Sequence, residues 1–440
     1  MLEFISVFNL VISVMFFSCY AYQLLYVIVP FIKKKRSHSG ETGGSIAKNS
    51  RRHGQKDFGE DRALTEKIAV LICARNEETV IAGLIESLKA QTYPSGRVTV
   101  FVMADNCSDG TRSTARHRGA VVYTRDDTLR TGKGYALNLL ISKVLEDYGK
   151  DRFDSFVVFD ADNIVTPGFL SAISRKMQEG YDVVTSLRNS KNYSDSWVSA
   201  RNALWFLRDS QYMNRSRDLL GVSCVVTGTG FTVSRSLLRR MGGWPFHLMS
   251  EDLEFTAYCV TNGIKVGYCE EAEFYDEQPV SFSQSIRQRL RWSKGYYQVF
   301  EKYGEKLARR IIKKKEFSSY DLTVSVTAAA ALTMISIMVW LITIAVRILK
   351  GDSMAVLGAE FLGTILSGYG AFFLMGVVTT LAEWKKIHAS AYKKLLYMFT
   401  FPVFMMTYIP IYISAMFIDV EWKPISHTRR RSLAEITKSD

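Results

Sequence analysis

Phe156-Val157-Val158-Phe159-Asp160-Ala161-Asp162 runs four aromatic or β-branched residues straight into two alternating carboxylates. A run this short and this apolar predicts a strand buried on both faces, and its acidic end marks where the chain leaves a sheet. Residues 68–73 and 98–103 have the same character. Helical patterns lie between the runs: Ile81, Leu84, Ile85 and Leu88 share one helix face, and residues 133–145 form a second helical stretch. The alternation predicts an α/β block with a mostly parallel sheet. It fills one soluble stretch, residues 66–280, large enough for a single core, and shows no internal repeat.

In an open α/β sheet ligands bind outside the carboxyl ends of the strands, so the residues just after each run carry the chemistry. They are Ala74-Arg75-Asn76-Glu77-Glu78, Asp105-Asn106-Cys107-Ser108-Asp109-Gly110 and Asp160-Ala161-Asp162. The last pair is either a solvated turn ahead of Pro167-Gly168 or a pair of oxygen ligands for a hard cation such as Mg²⁺ or Mn²⁺, whose other ligands would be phosphate and water. Arg130-Thr131-Gly132-Lys133-Gly134 opens a helix, as a surface helix start or as a phosphate site where glycine admits the backbone and lysine brings a point charge. Neither a Walker A loop nor a G-x-G-x-x-G follows the first strand. Ser250-Glu251-Asp252 reads as a capped helix start or as the seat of a general base. Gln288-Arg289-Leu290-Arg291-Trp292, in a basic amphipathic stretch, reads as an interfacial helix or as a diphosphate and sugar contact.

The chain of 440 residues is 48% hydrophobic and carries a net charge of +13. Four uncharged apolar runs, 4–32, 322–346, 361–382 and 395–418, each suffice to cross a bilayer. The first is followed by Lys33 to Arg36 rather than by a small-residue cleavage site, which predicts an anchor. Most of the excess positive charge lies in residues 33–56 and 301–316, beside these runs. That distribution argues against nucleic acid and for anionic lipid. The positive-inside rule places the polar block in the cytosol. Strict alternation would then leave Arg429 to Arg431 outside, so either the tail breaks the rule or the last run, interrupted by Pro402 and Pro410, does not cross. Six cysteines without C-x-x-C pairing read as reduced core residues. The expected organisation is a membrane helix at 1–32, a basic linker at 33–65, the catalytic block at 66–280, interface helices at 281–316, and a region of about three membrane helices with a tail at 317–440.

Taken in order, A-R-N-E, the strand-end Asp105, G-K-G, D-A-D, T-G-T-G at 227–230, S-E-D and Q-R-L-R-W resemble the family 2 glycosyltransferases, in particular the membrane-embedded branch of cellulose, hyaluronan and chitin synthases. The resemblance implies a GT-A fold that binds a UDP-sugar. It implies Asp105 on the uridine with Ala74, Arg75, Asn76 and Glu77 alongside, Lys133 at the diphosphate, and Asp160 and Asp162 at the donor and its Mg²⁺ or Mn²⁺, with Asp162 the direct metal ligand. It makes Asp252 the general base, Gln288, Arg289, Arg291 and Trp292 the diphosphate and acceptor contacts, and Thr227, Gly228 and Thr229 a border of the acceptor. The chemistry agrees: a poorly nucleophilic hydroxyl needs a base, and a departing diphosphate needs positive charge.

These readings predict an inverting, processive enzyme of the plasma membrane, multi-pass with a cytoplasmic catalytic domain, extending a β-glucan from UDP-glucose. Its partners would be the donor, the growing glycan and membrane lipid. Four runs are few for a polymer channel, so export would call for a homo-oligomer or an accessory subunit. The alternatives are a UDP-N-acetylglucosamine polymerase and a non-processive lipid glycosyltransferase of the ceramide glucosyltransferase type. A transporter is disfavoured, because the runs carry no charge along a path.

Overall fold

A computed structural model describes residues 2–39, 64–421 and 427–438; most of the expected linker, at 40–63, lies outside them. The strands are β1 (Ile68–Ala74), β2 (Val98–Asp105), β3 (Val121–Arg125), β4 (Ser155–Asp160), β5 (Ile164–Val165), β6 (Val183–Ser190), β7 (Phe231–Ser234) and β8 (Val266–Asp276). They form one sheet in the order β3-β2-β1-β4-β7-β6-β8-β5. Strands β1 to β4 pair in parallel, β6 pairs in parallel with β8, and β7 and β5 run antiparallel to their neighbours.

The alternation within β1 explains why the sheet is covered on both sides. Ala69 and Leu71 join one core with Phe101, Met103, Phe156 and Val158. Ile68, Val70 and Ile72 join the other with Val102, Val157 and Phe159. Successive side chains point to opposite faces, so a strand with no polar residue must be buried on both. Helix Lys133–Tyr148 supplies Leu137, Leu140 and Val144 to the first core, and helix Ile81–Lys89 supplies Ile81, Leu84 and Ile85 to the second.

The apolar runs depart from simple spans in two places. The first run, expected as a single membrane helix over 1–32, forms two successive helices, Leu2–Tyr20 and Tyr22–Ser39, interrupted at Ala21. Its tyrosines fasten it to the rest of the chain. Their hydroxyls need partners that lipid lacks: Tyr20 donates to the Val324 carbonyl (3.0 Å), and Tyr22 and Tyr26 donate to Asp321 (2.8 and 3.2 Å). Asp321 in turn pairs with Arg217 at 2.7 Å, both side chains 2% exposed. This buried knot ties the second half of the run to the catalytic block.

The last run also breaks, at Thr407, into Ala391–Met406 and Tyr408–Phe417. Phe401, Phe404 and Met405 enter the first sheet core. Both flanks return to the catalytic block, through Lys393 Nζ to the Ser194 carbonyl (3.0 Å) and Lys294 Nζ to the Ile418 carbonyl (3.3 Å). The tail docks there as well, with Ile436 against Ile164 and Tyr275. By length and composition four helices among the described residues could cross a membrane. Ala331–Leu349 and Met354–Ala382 form a hairpin whose turn, closed by Arg347 on Asp352 (2.6 Å), is far in sequence from every contact with the sheet. The expected interface helices are one helix, Phe282–Lys314.

Candidate active site

The sheet delivers its polar strand ends to one edge. Two backbone turns there need left-handed residues, Asn76 at φ 56° and Asn106 at φ 50°. Asparagine tolerates that region because its amide bonds locally. The Asn76 side chain accepts from the Ser108 N–H (2.8 Å), and the Glu77 N–H donates to Thr111 Oγ1 (2.8 Å), so the loops after β1 and β2 are laced together. Asp105, at the end of β2, is buried and paired with Arg125 at 2.6 Å. Burial raises its pKa while Arg125 pulls it back down.

Lys133 stands at the first residue of its helix and places Nζ on Asp160 and on the Gly228 carbonyl (2.6 Å). Burial would weaken its charge, but Asp160 and Glu251 outweigh that and hold its pKa above the usual value. Gly228 takes φ +83°, and a Cβ there would come within 3.2 Å of Asp252 Oδ2. The T-G-T-G turn therefore brings the Gly228 backbone, whose carbonyl holds Lys133, close to the carboxylate of Asp252 because glycine has no Cβ. Thr229 Oγ1 accepts the Asp160 N–H at 2.9 Å and donates to Asn163, fixing the end of β4.

Asp162 is buried, accepts the Glu277 N–H at Oδ2 (2.7 Å) and has a lowered pKa: desolvation opposes its charge, and His427 and Lys191 overcome that. His427 comes from the tail and lies 2.8 Å from Glu77 through Nδ1. Desolvation would neutralise it, yet Asp162, Glu77 and Glu277 raise it to about 10. Burial pushes Glu77 up to about 7 despite His427. The tail is held by Glu277, which accepts the N–H groups of Thr428 and Arg429 (3.0 and 3.1 Å), and by Arg431 on Asp195 (2.6 Å). Among the described residues no three His, Cys, Asp or Glu side chains form a metal cage by themselves. The two carboxylates Asp160 and Asp162 are oxygen donors that suit a hard cation completing its shell with phosphate and water, while His427, held protonated by its acidic neighbours, is no metal ligand.

Ser250 holds the N-cap position of helix Glu251–Thr261, but its hydroxyl caps nothing; Oγ is buried without a partner. The turn instead presses on Gly295 of the helix Phe282–Lys314, where a Cβ would fall 2.3 Å from Ser250 Oγ. Burial raises Asp252, and burial together with the Asp252 charge raises Glu251 to about 7.

A cavity of about 910 Å³ collects these groups. Of the residues predicted from sequence, Ala74, Arg75, Glu77, Asp105, Lys133, Asp160, Asp162, Thr227, Gly228, Asp252, Gln288, Arg291 and Trp292 line it. Asn76, Thr229 and Arg289 do not. The first two act behind the wall, as described. Arg289 turns away and donates to the Phe404 carbonyl (3.3 Å) and Thr407 Oγ1 (2.7 Å), holding the broken end of the last apolar run. The sequence reading gave Glu251 of S-E-D no role of its own, though it lines the cavity, and missed His427, Glu277 and the pair Arg188–Asp276 (2.5 Å), which line it too. No spacing signals them: His427 lies far beyond the motifs, and Arg188 and Asp276 meet only because β6 and β8 pair. Away from the strand ends the cavity continues between membrane-side helices, lined by Leu24, Met334, Ile337, Ala371, Phe372 and Ile413.

Residues 66–295 match the profile of a family described as glycosyltransferase-like family 2. The chain is similar to the probable glycosyltransferase YdaM of Bacillus subtilis, 25% identical over 281 residues that cover 58% of this chain and 60% of that one. It is also similar to a beta-monoglucosyldiacylglycerol synthase of Synechocystis sp., 26% identical over 54% of this chain and 49% of the relative. The chain thus spans about half to three fifths of the length of these curated relatives. Among solved structures, the mannosyltransferase PcManGT from Pyrobaculum calidifontis, in complex with GDP-Man and Mn²⁺, superposes with a TM-score of 0.53 at 14% identity, over 92% of this chain and 98% of the other. The architecture is the expected GT-A fold with apolar helices attached.

Proposed function

The chain belongs to glycosyltransferase-like family 2, and from that premise we propose that it transfers one sugar from a UDP-sugar, favoured as UDP-glucose, to a hydroxyl of a membrane lipid. The observation that carries this reading is the single cavity, acidic at the sheet edge and apolar where it passes between the membrane-side helices. A lipid acceptor needs that combination: tails in the apolar part, a hydroxyl beside the base. The similarity to a beta-monoglucosyldiacylglycerol synthase points the same way. A processive polymerase would need a track for a hydrophilic chain, and the far walls of this cavity are mainly apolar, with Gln23, Ser325 and Thr333 among few polar side chains there.

In this mechanism Asp105 and residues 74–77 hold the nucleoside, and Lys133 and Arg291 face the diphosphate. Asp160 and Asp162, with His427 beside them, would hold Mg²⁺ or Mn²⁺, which when bound neutralises charge on the diphosphate. Asp252 accepts the proton of the acceptor hydroxyl as its oxygen bonds to the anomeric carbon. The bond from that carbon to UDP breaks, and UDP leaves with the electron pair. One displacement inverts the anomeric centre, so no second carboxylate need act as nucleophile. Burial raises the pKa of Asp252, which makes it a stronger proton acceptor than an ordinary carboxylate. The basic flanks support, by the positive-inside rule, an orientation with the catalytic block and the docked tail on the cytosolic face of the plasma membrane and the 347–354 turn on the other side.

The test is product size. Full-length protein in vesicles containing diacylglycerol is incubated with radiolabelled UDP-glucose and Mg²⁺ or Mn²⁺. Label should extract into organic solvent as a monoglucosylated lipid. Label in a high-molecular-weight, solvent-insoluble polymer would overturn the lipid reading and favour the processive one.

A further inference from the structure

Helix Trp197–Arg208 crosses the start of helix Phe282–Lys314, and two arginines are buried at the crossing. Arg201 is 3% exposed, lies 3.2 Å over the Trp197 ring, and leaves Nε and Nη1 without a hydrogen-bond partner. Arg289 is fully buried. Its Nε donates to the Ser285 carbonyl (3.3 Å) and its Nη1 to the end of the last apolar run, but Nη2 has no partner. Asn202 fastens the crossing through Nδ2 to Ser285 Oγ (3.4 Å). Neither arginine has a carboxylate partner among the described residues. The charge that bears on Arg201 is the like charge of Arg289, and burial together with that repulsion lowers Arg201 to about 9.

Buried cations in proteins are paired, because desolvation without a counter-charge is costly. Two guanidiniums that share a buried crossing and leave three N–H-bearing nitrogens idle lack an anion. Guanidinium forks match phosphate geometry. At the edge of the crossing Trp197 and Phe282, each 37% exposed, stack at 5.5 Å. A half-exposed tryptophan, with its amphipathic ring, is a side chain enriched at the headgroup level of a bilayer. We infer that Arg201 and Arg289 form a phosphate-binding site, separate from the catalytic cavity and lying at the level of the lipid headgroups. Its ligand is a phosphate group, carried by a phospholipid or free in solution. Neither arginine lines the catalytic cavity, so the inference does not rest on the proposed reaction.

The test uses the full chain, stripped of lipid by detergent exchange, with thermal unfolding followed by tryptophan fluorescence. Phosphatidylglycerol, inorganic phosphate and phosphate-free diacylglycerol are titrated separately, on wild type and on Arg201→Met. Wild type should show a saturable rise in Tm of a few degrees with phosphatidylglycerol, absent in Arg201→Met. Without any ligand, Arg201→Met should melt at or above the wild-type temperature, since it removes an unbalanced charge. An equal rise with inorganic phosphate identifies a free anion as sufficient, and a rise with the lipid alone identifies a headgroup. No rise with either, an equal rise in the variant, or an equal rise with diacylglycerol overturns the site. If Arg201→Met does not fold, Arg201→Lys, which keeps the charge and loses the fork, should need at least tenfold more phosphatidylglycerol for the same shift. An unchanged titration would overturn the inference.

Discussion

Asp252 is the second residue of a helix whose start has a serine in the capping position, and spacing alone favours the cap over the base. The structure separates them, because the serine hydroxyl is orphaned while the aspartate faces Gly228. Asp252→Asn is expected to lower kcat by about 10² to 10⁴-fold with UDP affinity unchanged by calorimetry; retained turnover would remove the base assignment. The pH profile should follow the same group. A base works deprotonated, and burial raises Asp252, so kcat/KM should fall toward acid with a midpoint above the ordinary carboxylate value of about 4. The acidic residues at the strand ends were legible because each interrupts an apolar run. His427 was not, since nothing local distinguishes it from any other histidine; only the fold brings it to Glu77 and Asp162.

Elements were legible where their period was strict. β1, β2 and β4 were read from short, predominantly apolar runs, and the structure extends each by one or two positions. The last apolar run was ambiguous because Pro402 and Pro410 weaken a helix without saying where its ends go. Its bend at Thr407 is held by Arg289, a residue whose motif suggested a substrate contact. The two arginines of Q-R-L-R-W should therefore separate on substitution. Arg291→Ala should cut kcat/KM with Tm kept, whereas Arg289→Ala should lower Tm and leave the KM for UDP-sugar near that of the wild type, as read by donor titrations and melting curves. Gly295 is a second joint between elements. A Cβ there overlaps Ser250, so Gly295→Ala should cost about 1–3 kcal/mol of stability and lower kcat by displacing the helix that carries Asp252; an unperturbed melting curve would contradict the close approach.

At the scale of the whole molecule, the tail resolves the conflict in charge distribution that the sequence posed. Arg431 reaches Asp195 and the Lys191 carbonyl, so the basic tail lies with the catalytic block. Single-cysteine variants at Ser353 and Ser432 should label from opposite faces of sealed vesicles with a membrane-impermeant thiol reagent; labelling from one face would contradict the proposed topology. These long-range contacts join residues more than two hundred positions apart, which is why composition and periodicity could not supply them. The cavity that runs from the sheet edge into the apolar helices has a kinetic consequence. An acceptor taken sideways from the bilayer is sampled in two dimensions, so its effective concentration is its mole fraction among the lipids. Diluting the vesicles tenfold in buffer should then leave the rate per enzyme unchanged at saturating donor, while diluting the acceptor with inert lipid at constant bulk concentration should slow it.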